Sequence, residues 1–304
     1  IFFTDAYQGP VNTGVPSGFD LNRDGEVNAA GGQDAWGYGV YPGQYGMAVL
    51  SKFPIDRDAI RTFQTFKWRD LPGAKLPSAP ETDATGDWYS DEILARFPLS
   101  SKSHWDVPIR LSADRTLHLL ASHPTPPGFD GDEDRNGRRN HDEIRLWADY
   151  VTPGAGDYLY DDQGRRGGLD PGTRFVIAGD LNADPHDGGA AAAIAQLLNA
   201  PGVNSALVPS SQGGVAAAER QGGPNLDHRG DPAHDTGDFN DDPDDGVGNL
   251  RVDYVLPSAA GWEAVDGGVY WPVPDHPRFS LVGDYPYASS DHRLVWMDLR
   301  LEGD

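Results

Sequence analysis

Apolar positions along this chain come in short runs set between long polar stretches, and the spacing within each run predicts an element. Residues 46–50 (Gly-Met-Ala-Val-Leu) read as a buried strand running into Ser51-Lys52-Phe53-Pro54-Ile55. Residues 107–111 and 116–122 flank Ser112-Ala113-Asp114-Arg115, the pattern of a hairpin, with Leu117, Leu119 and Leu120 supplying apolar contacts. Over residues 139–151, Ile144, Trp147 and Val151 recur at helical spacing, and Pro153-Gly154 stops the helix. Phe175-Val176-Ile177-Ala178 is apolar almost throughout, as in a sheet covered on both faces. Residues 190–199 predict an alanine-rich helix with Ile194, Leu197 and Leu198 inward, ended by Pro201-Gly202. Val252, Tyr254 and Leu256 alternate as in a strand, and residues 294–301 give the last strand. Three polar stretches, residues 11–45, 71–103 and 210–248, read as long surface loops of the kind that bind ligands or move. There is no repeat or heptad. Loose alternation of strands and helices with hairpins predicts an α+β sandwich, two sheets face to face with helices outside, in one domain over residues 1–304.

Composition sharpens this picture. With 304 residues, 38% of them hydrophobic, the chain can form a real core, and 38 glycines with 25 prolines make it rich in loops. Asp and Glu number 47 against 24 Lys and Arg, a formal net charge of -23. Such a surface repels nucleic acid and anionic membranes and suits divalent cations and small substrates; it serves plain solubility or a salt-rich habitat equally well. The absence of cysteine excludes disulfides, thiolate zinc sites and cysteine nucleophiles. A secreted protein without disulfides can use Ca²⁺ as a staple. No apolar run approaches the ~20 residues that a membrane-crossing helix needs. The chain starts at Ile1 without a signal peptide, which reads as processing or trimming.

Four segments carry candidate chemistry. Gly179-Asp180-Leu181-Asn182 follows the apolar strand directly, and residues two apart share one side of an extended chain. Asp180 can hold a metal or a water, and Asn182 can donate to a phosphate oxygen while its carbonyl faces a metal; a plain polar turn closing a βα unit is the alternative. Ser290-Asp291-His292 sets a carboxylate beside an imidazole, suited to metal binding and proton transfer, or to surface decoration. Asp253 lies inside an apolar strand, where a carboxylate needs a partner: a histidine, or Arg251 in a salt bridge. His123 ends the Leu119-Leu120-Ala121-Ser122 strand, a place that also suits a structural histidine.

In this order the four segments resemble the endonuclease/exonuclease/phosphatase superfamily of DNase I-like, metal-dependent phosphoesterases, and Tyr45-Gly46-Met47-Ala48-Val49-Leu50-Ser51-Lys52-Phe53-Pro54-Ile55 is similar to one of its strands. The resemblance runs from about Tyr45 to the C-terminus. It implies a four-layer α/β sandwich of two packed mixed sheets flanked by helices. It implies in-line attack of water on a phosphoester with Mg²⁺, Mn²⁺ or Ca²⁺. Asp180 would position or deprotonate the water, and Asn182 would contact the phosphate and the metal. Asp291 would bind the metal, His292, oriented by Asp253, would act on the phosphate or as acid/base, and His123 would assist the leaving group. The family also has an Asn-bearing and a Glu-bearing strand ahead of the Gly46 strand, and no Leu-x-Glu strand end precedes Tyr45 here. Those strands would come from upstream residues or another chain; otherwise this is an inactive version.

Two further stretches look like calcium loops. Asp20, Asn22, Asp24 and Glu26 have the Asp-x-Asn-x-Asp-Gly spacing, with Gly31 at position twelve where the full motif has Glu, and Asp34 as its substitute. Asp132, Asp134, Asn136 and Glu143 match the full pattern, though Pro126-Pro127-Gly128 precede it and no helix enters it. Arg138, Arg139 and Asn140 beside it are candidates for holding substrate phosphate. Residues 235–245 contain six Asp, a solvated loop or a further cation site. The expected function is hydrolysis of a phosphomonoester or small phosphodiester outside the cell. An extracellular DNase I-like nuclease, disfavoured by charge, and a non-catalytic calcium-stabilised module are the alternatives.

Overall fold

The structure, a computed structural model, describes residues 3–28 and 32–302. Ile1 and Gly31 lie outside the described residues. In chain order the strands are β1 Asp5–Tyr7, β2 Val49–Ser51, β3 Arg61–Thr62, β4 His104–Arg110, β5 Thr116–Ser122, β6 Phe175–Asp180, β7 Gly237–Asp238, β8 Asn249–Leu250, β9 Asp253–Pro257, β10 Trp262–Tyr270 and β11 Leu294–Leu301. The α-helices are α1 Asp91–Leu94, α2 Arg135–Val151, α3 Ala191–Leu198 and α4 Gln212–Gln221.

The fold is an α+β sandwich whose centre is a mixed five-stranded sheet in the order β3-β4-β5-β6-β9. Within it β5 and β6 run parallel, and every other pair is antiparallel. Alternation along the strands divides the core between the two faces. Leu120 of β5, Phe175 and Ile177 of β6, and Tyr254 and Leu256 of β9 face α2 and α3, where they join Ile144, Trp147, Ile194 and Leu197. On the other face Trp105, Val107 and Ile109 of β4 and Ala121 of β5 meet Val49 and Ile55 beside the antiparallel β1–β2 ladder. The β10–β11 and β7–β8 ladders complete the strands. No helix of the described residues is long and apolar enough to cross a membrane.

The predicted elements recur with instructive differences. Helix α2 starts at Arg135 instead of 139, because its first turn is polar and carries no apolar period. Strand β2 covers only residues 49–51 of the expected run. The stretch 210–248 is not simply loop: it holds α4, whose Gly213-Gly214 pair reads as a helix breaker. Glycine is required there because a Cβ at either position would fall 1.9 Å from the Trp271 carbonyl oxygen or 2.3 Å from that of Pro232. Ser211 caps the helix by accepting from the Gly214 amide. Strand β10 carries Gly267-Gly268 and has no apolar run of its own in the sequence to mark it.

Candidate active site

The ends of β5, β6 and β9 bring the candidate side chains together. Asp180 is the last residue of β6 and pairs in register with Asp253, the first of β9. Gly179 before it has φ +153, and a Cβ there would sit 2.0 Å from the carbonyl oxygen of Ser122, so only glycine lets β6 lie this close to the end of β5. After Asp180 the chain turns sharply. Leu181 is fully buried and its amide donates to the Val252 carbonyl, while Asn182 takes a left-handed backbone, φ +51, that asparagine tolerates. Asp180 and Asn182 therefore emerge on one side, with the Asn182 amide donating to Asp180 Oδ1 at 2.8 Å.

Around the Asp180 carboxylate stand two imidazoles. His123 Nε2 is 3.2 Å from Oδ2, and His292 Nε2 is 3.8 Å from the same atom. Behind His292, Asp253 Oδ2 lies 2.8 Å from Nδ1. The partner of Asp253 is thus the histidine; Arg251 instead lays its guanidinium over the Tyr254 ring, 4.7 Å from the centroid. The ring of Phe239 stands edge-on to His292 with centroids 5.4 Å apart. Thr236 Oγ1 accepts from the amides of Val252 and Asp253, which fixes the start of β9. Neither Phe239 nor Thr236 carries a sequence signal, since both lie in a stretch that reads as polar loop.

The electrostatics follow from this packing. Burial alone would raise Asp180, but the His123 hydrogen bond and charge, the His292 charge and the Asn182 amide bring it below the usual carboxylate range. Burial pushes Asp253 up, with the Asp180 charge adding to it, against the opposing pull of His292. Burial would lower His292, yet Asp253 and Asp180 outweigh it and raise the imidazole to about 9, so it is an imidazolium at neutral pH. A raised folded-state value means that the stability this histidine contributes is fully present below its unfolded value, ~6.5, and is lost as pH climbs through about 9. In Asp253→Asn the imidazole loses its counter-charge. Proton NMR of the metal-free protein should then show His292 titrating well below the wild-type value; an unchanged midpoint would mean that Asp253 does not set it.

Asp180, Asp253 and His292 each offer a ligand atom within 4.8 Å of the others. The two carboxylates are an oxygen donor set that fits Mg²⁺ or Mn²⁺, while His292, as an imidazolium, has no nitrogen lone pair to add. Asn182 donates both amide hydrogens, to Pro124 O at 3.1 Å and to Asp180 Oδ2 at 3.2 Å. Its Nδ2 is therefore engaged and not open to phosphate, while its Oδ1 accepts no hydrogen bond among the described residues. Asp291 does not join the cluster. It lies exposed, and its carbonyl accepts from the Asp238 amide. Its side chain lines a cavity of about 1140 Å³ together with Asn182, Phe129, Phe239 and Tyr287. Asp184, Asp238, Asp241, Asp242 and Asp245 line it too, and no Lys or Arg does among the described residues. A second cavity of about 420 Å³, walled by Val49, Leu119, Ala121 and Ala178, opens onto His123 and Asp180.

Several expected ligands have other tasks. Arg139 is buried and donates to the carbonyls of Leu99, Trp36 and Pro98, so its guanidinium cannot meet a phosphate. Asn140, also buried, donates to the carbonyls of Thr125, Leu181 and Asn182, which ties the two site loops to α2. Glu143 is fully buried and accepts the amides of Ser101 and Thr125, each at 2.6 Å. With Asn136 and Glu143 both on α2, and the Asn136 side chain on the Gly128 carbonyl, the stretch from Asp132 through Asp134 to Glu143 does not wrap an ion: the helix starts inside the motif. In the first calcium-like loop Asp20 accepts the amides of Asp24 and Gly25, Asn22 bonds Asp24, and Asp24 accepts the amide of Glu26. Asp34, fully buried, accepts from the amides of Leu21 and Asn28 and the Asn28 side chain, and so closes the turn. Among the described residues neither loop brings three Asp, Glu or His ligand atoms together.

The sequence profile of the Endonuclease/Exonuclease/phosphatase family matches residues 7–292. The chain belongs to this family. Among solved structures it is similar to an endonuclease/exonuclease/phosphatase from Beutenbergia cavernae DSM 12333, at 17% identity over 98% of this chain and 54% of that one, with a TM-score of 0.49. Sphingomyelinase C from Streptomyces griseocarneus is similar at 15% identity over 95% of this chain and 74% of its own, TM-score 0.36. A double mutant of Staphylococcus aureus beta toxin with bound magnesium ions is similar at 14% identity over 82% and 66%, TM-score 0.37. The chain spans about half the length of the Beutenbergia protein, 54%. Comparison with curated proteins gives no match. The family is one of phosphoesterase- and nuclease-type hydrolases, and its strand-borne Glu has no counterpart before Tyr45 among the described residues.

Proposed function

We propose that this chain hydrolyses phosphate esters of small substrates, a phosphomonoester or a small phosphodiester, with a divalent metal. The observation that carries the reading is the Asp180 carboxylate set between His123 at 3.2 Å and His292 at 3.8 Å, with Asp253 behind His292. A carboxylate kept anionic in a half-buried place can take a proton from water as the water attacks phosphorus. His292, an imidazolium held by Asp253, supplies positive charge where the phosphoryl oxygens gain negative charge. His123, the second imidazole on Asp180 Oδ2, would return a proton to the departing alkoxide. Asp180 and Asp253 would hold the ion through their carboxylate oxygens, with Asn182 Oδ1 as the uncommitted oxygen beside them, while the protonated His292 faces the phosphoryl group. When bound, Mg²⁺ or Mn²⁺ would neutralise charge on the phosphoryl oxygens.

The larger cavity favours a small alcohol group over a polyanion, since aspartates line it without a balancing Lys or Arg. The acidic, cysteine-free composition fits work outside the cytoplasm. The test is incubation with Mg²⁺, Mn²⁺ or Ca²⁺ and, in turn, a chromogenic phosphomonoester, a phosphodiester and plasmid DNA. Turnover of a small ester, lost with EDTA and restored by metal, with the plasmid intact, is expected. Inertness towards all three with every metal would overturn the reading, and plasmid cleavage faster than small-ester turnover would move it to the nuclease.

A further inference from the structure

The site uses carboxylate, imidazole and amide groups, and beside it a buried cation, Lys102, has no part in the chemistry described so far. Lys102 lies just ahead of β4, only 5% exposed, between the buried Ser101 and Ser103. Its ammonium makes no direct ion pair among the described residues; it donates to the carbonyl oxygen of Pro124 at 3.2 Å. That oxygen is the one that also receives Asn182 Nδ2, at 3.1 Å, and Pro124 directly follows His123. Taking an ammonium out of water costs several kcal/mol before compensation. A residue that only filled this space would be Leu or Met. Burial pulls the Lys102 ammonium down to about 8, and the charges of Glu143 and Asp180 work against that pull, so the group stays largely protonated at neutral pH.

The segment after β5 has no ladder to hold it, and three backbone atoms in a row are gripped from inside. Lys102 takes Pro124 O, Glu143 takes the Thr125 amide, and Asn140 takes Thr125 O. Of the three grips, the one made by Lys102 is next to the imidazole and shares its acceptor with Asn182. We propose that Lys102 is a positioning residue of the phosphoester reaction: its ammonium fixes the Pro124 carbonyl, and through that oxygen the directions of His123 and Asn182 around Asp180. This rests on the hydrolase reading of the site. What matters in it is the N–H donor, because a carbonyl held by the ammonium keeps its second lone pair for the Asn182 side-chain amide.

The test compares wild type with Lys102→Met and Lys102→Gln in the full chain, using a chromogenic phosphoester with Mn²⁺, thermal melts, and NMR of the Asn182 side-chain amide and His123 imidazole without substrate. Lys102→Met should lower kcat roughly 10- to 100-fold with KM within about twofold, as loss of an outer-layer partner does. The Asn182 amide signals should shift or broaden in it. Lys102→Gln, which keeps a donor but not the charge, should recover kcat to within about fivefold of wild type if the carbonyl grip is the mechanism. A folded Lys102→Met with wild-type kcat and unmoved Asn182 and His123 signals would overturn the proposal, and so would a Lys102→Gln as impaired as Lys102→Met. Should wild type turn over no phosphoester, the hydrolase reading falls by itself, and the two NMR signals still decide whether Lys102 positions these groups. If Lys102→Met does not fold, the wild-type ammonium decides: a ¹⁵Nζ signal protected from exchange supports the grip, and a solvent-exchanging one refutes it.

Discussion

Asp180→Asn should abolish nearly all turnover while leaving the fold intact. The substitution keeps the shape of the side chain and its oxygen for the Asn182 amide, so the turn after β6 can form. It removes the negative charge that faces His123 and His292, and with it the base for the attacking water. General base catalysis contributes about 10² to 10⁴ in rate, and Asp180 is also one of the two carboxylates that would hold the metal, so a loss of roughly 10³-fold or more in kcat is expected. The check is the steady-state rate with a chromogenic phosphoester and Mn²⁺, alongside a melt. A variant with a tenth of wild-type kcat would show that Asp180 is not the base. The His292 imidazole should also titrate lower in this variant, because one of the charges that raise it is gone.

The second large effect concerns stability. Trp147 is fully buried on α2, edge-on to Phe63 and His104 and tilted against Tyr150. Its indole N–H donates to Ser122 Oγ at 2.9 Å, inside the core, one residue before His123. Trp147→Ala opens a cavity between helix and sheet and orphans that hydroxyl. A loss of about 3–5 kcal/mol follows from the cavity alone. Urea unfolding should show a lower midpoint at an unchanged slope. A midpoint within experimental error of wild type would mean that the helix does not pack on the sheet in this way. Where the variant stays folded, kcat should fall as well, because Ser122 anchors the end of β5 that presents His123.

Much of the framework was legible because local periodicity decides it. β5 and β11 match the predicted runs at both ends, and α3 differs by one residue at each end. What local pattern could not show depends on distant backbone. The stretch 210–248 reads as loop, yet it holds α4, whose Gly213 and Gly214 let the carbonyls of Trp271 and Pro232 press against the helix. The Asp132–Glu143 motif reads as an ion loop until α2 is seen to start at Arg135, which turns Glu143 inward to grip two amides. Arg139 reads as a phosphate ligand until its guanidinium is found inside, on three carbonyls. Motif spacing gives residue order but not which face of an element a residue occupies.

The site divides in the same way. Sequence alone named the candidate groups, His123, Asp180, Asn182, Asp253 and His292, because four polar segments at strand ends, each with a structural alternative of its own, follow one another in the order of a known family. It determined the acidic balance and the family resemblance as well. Only the tertiary structure decided that His292, and not Arg251, pairs with Asp253, that Asp291 stays outside the cluster, and that Lys102 stands behind the Pro124 carbonyl. Those outcomes are set by strand register and by the inward or outward turn of single residues, where one step along the chain reverses the side on which a side chain emerges.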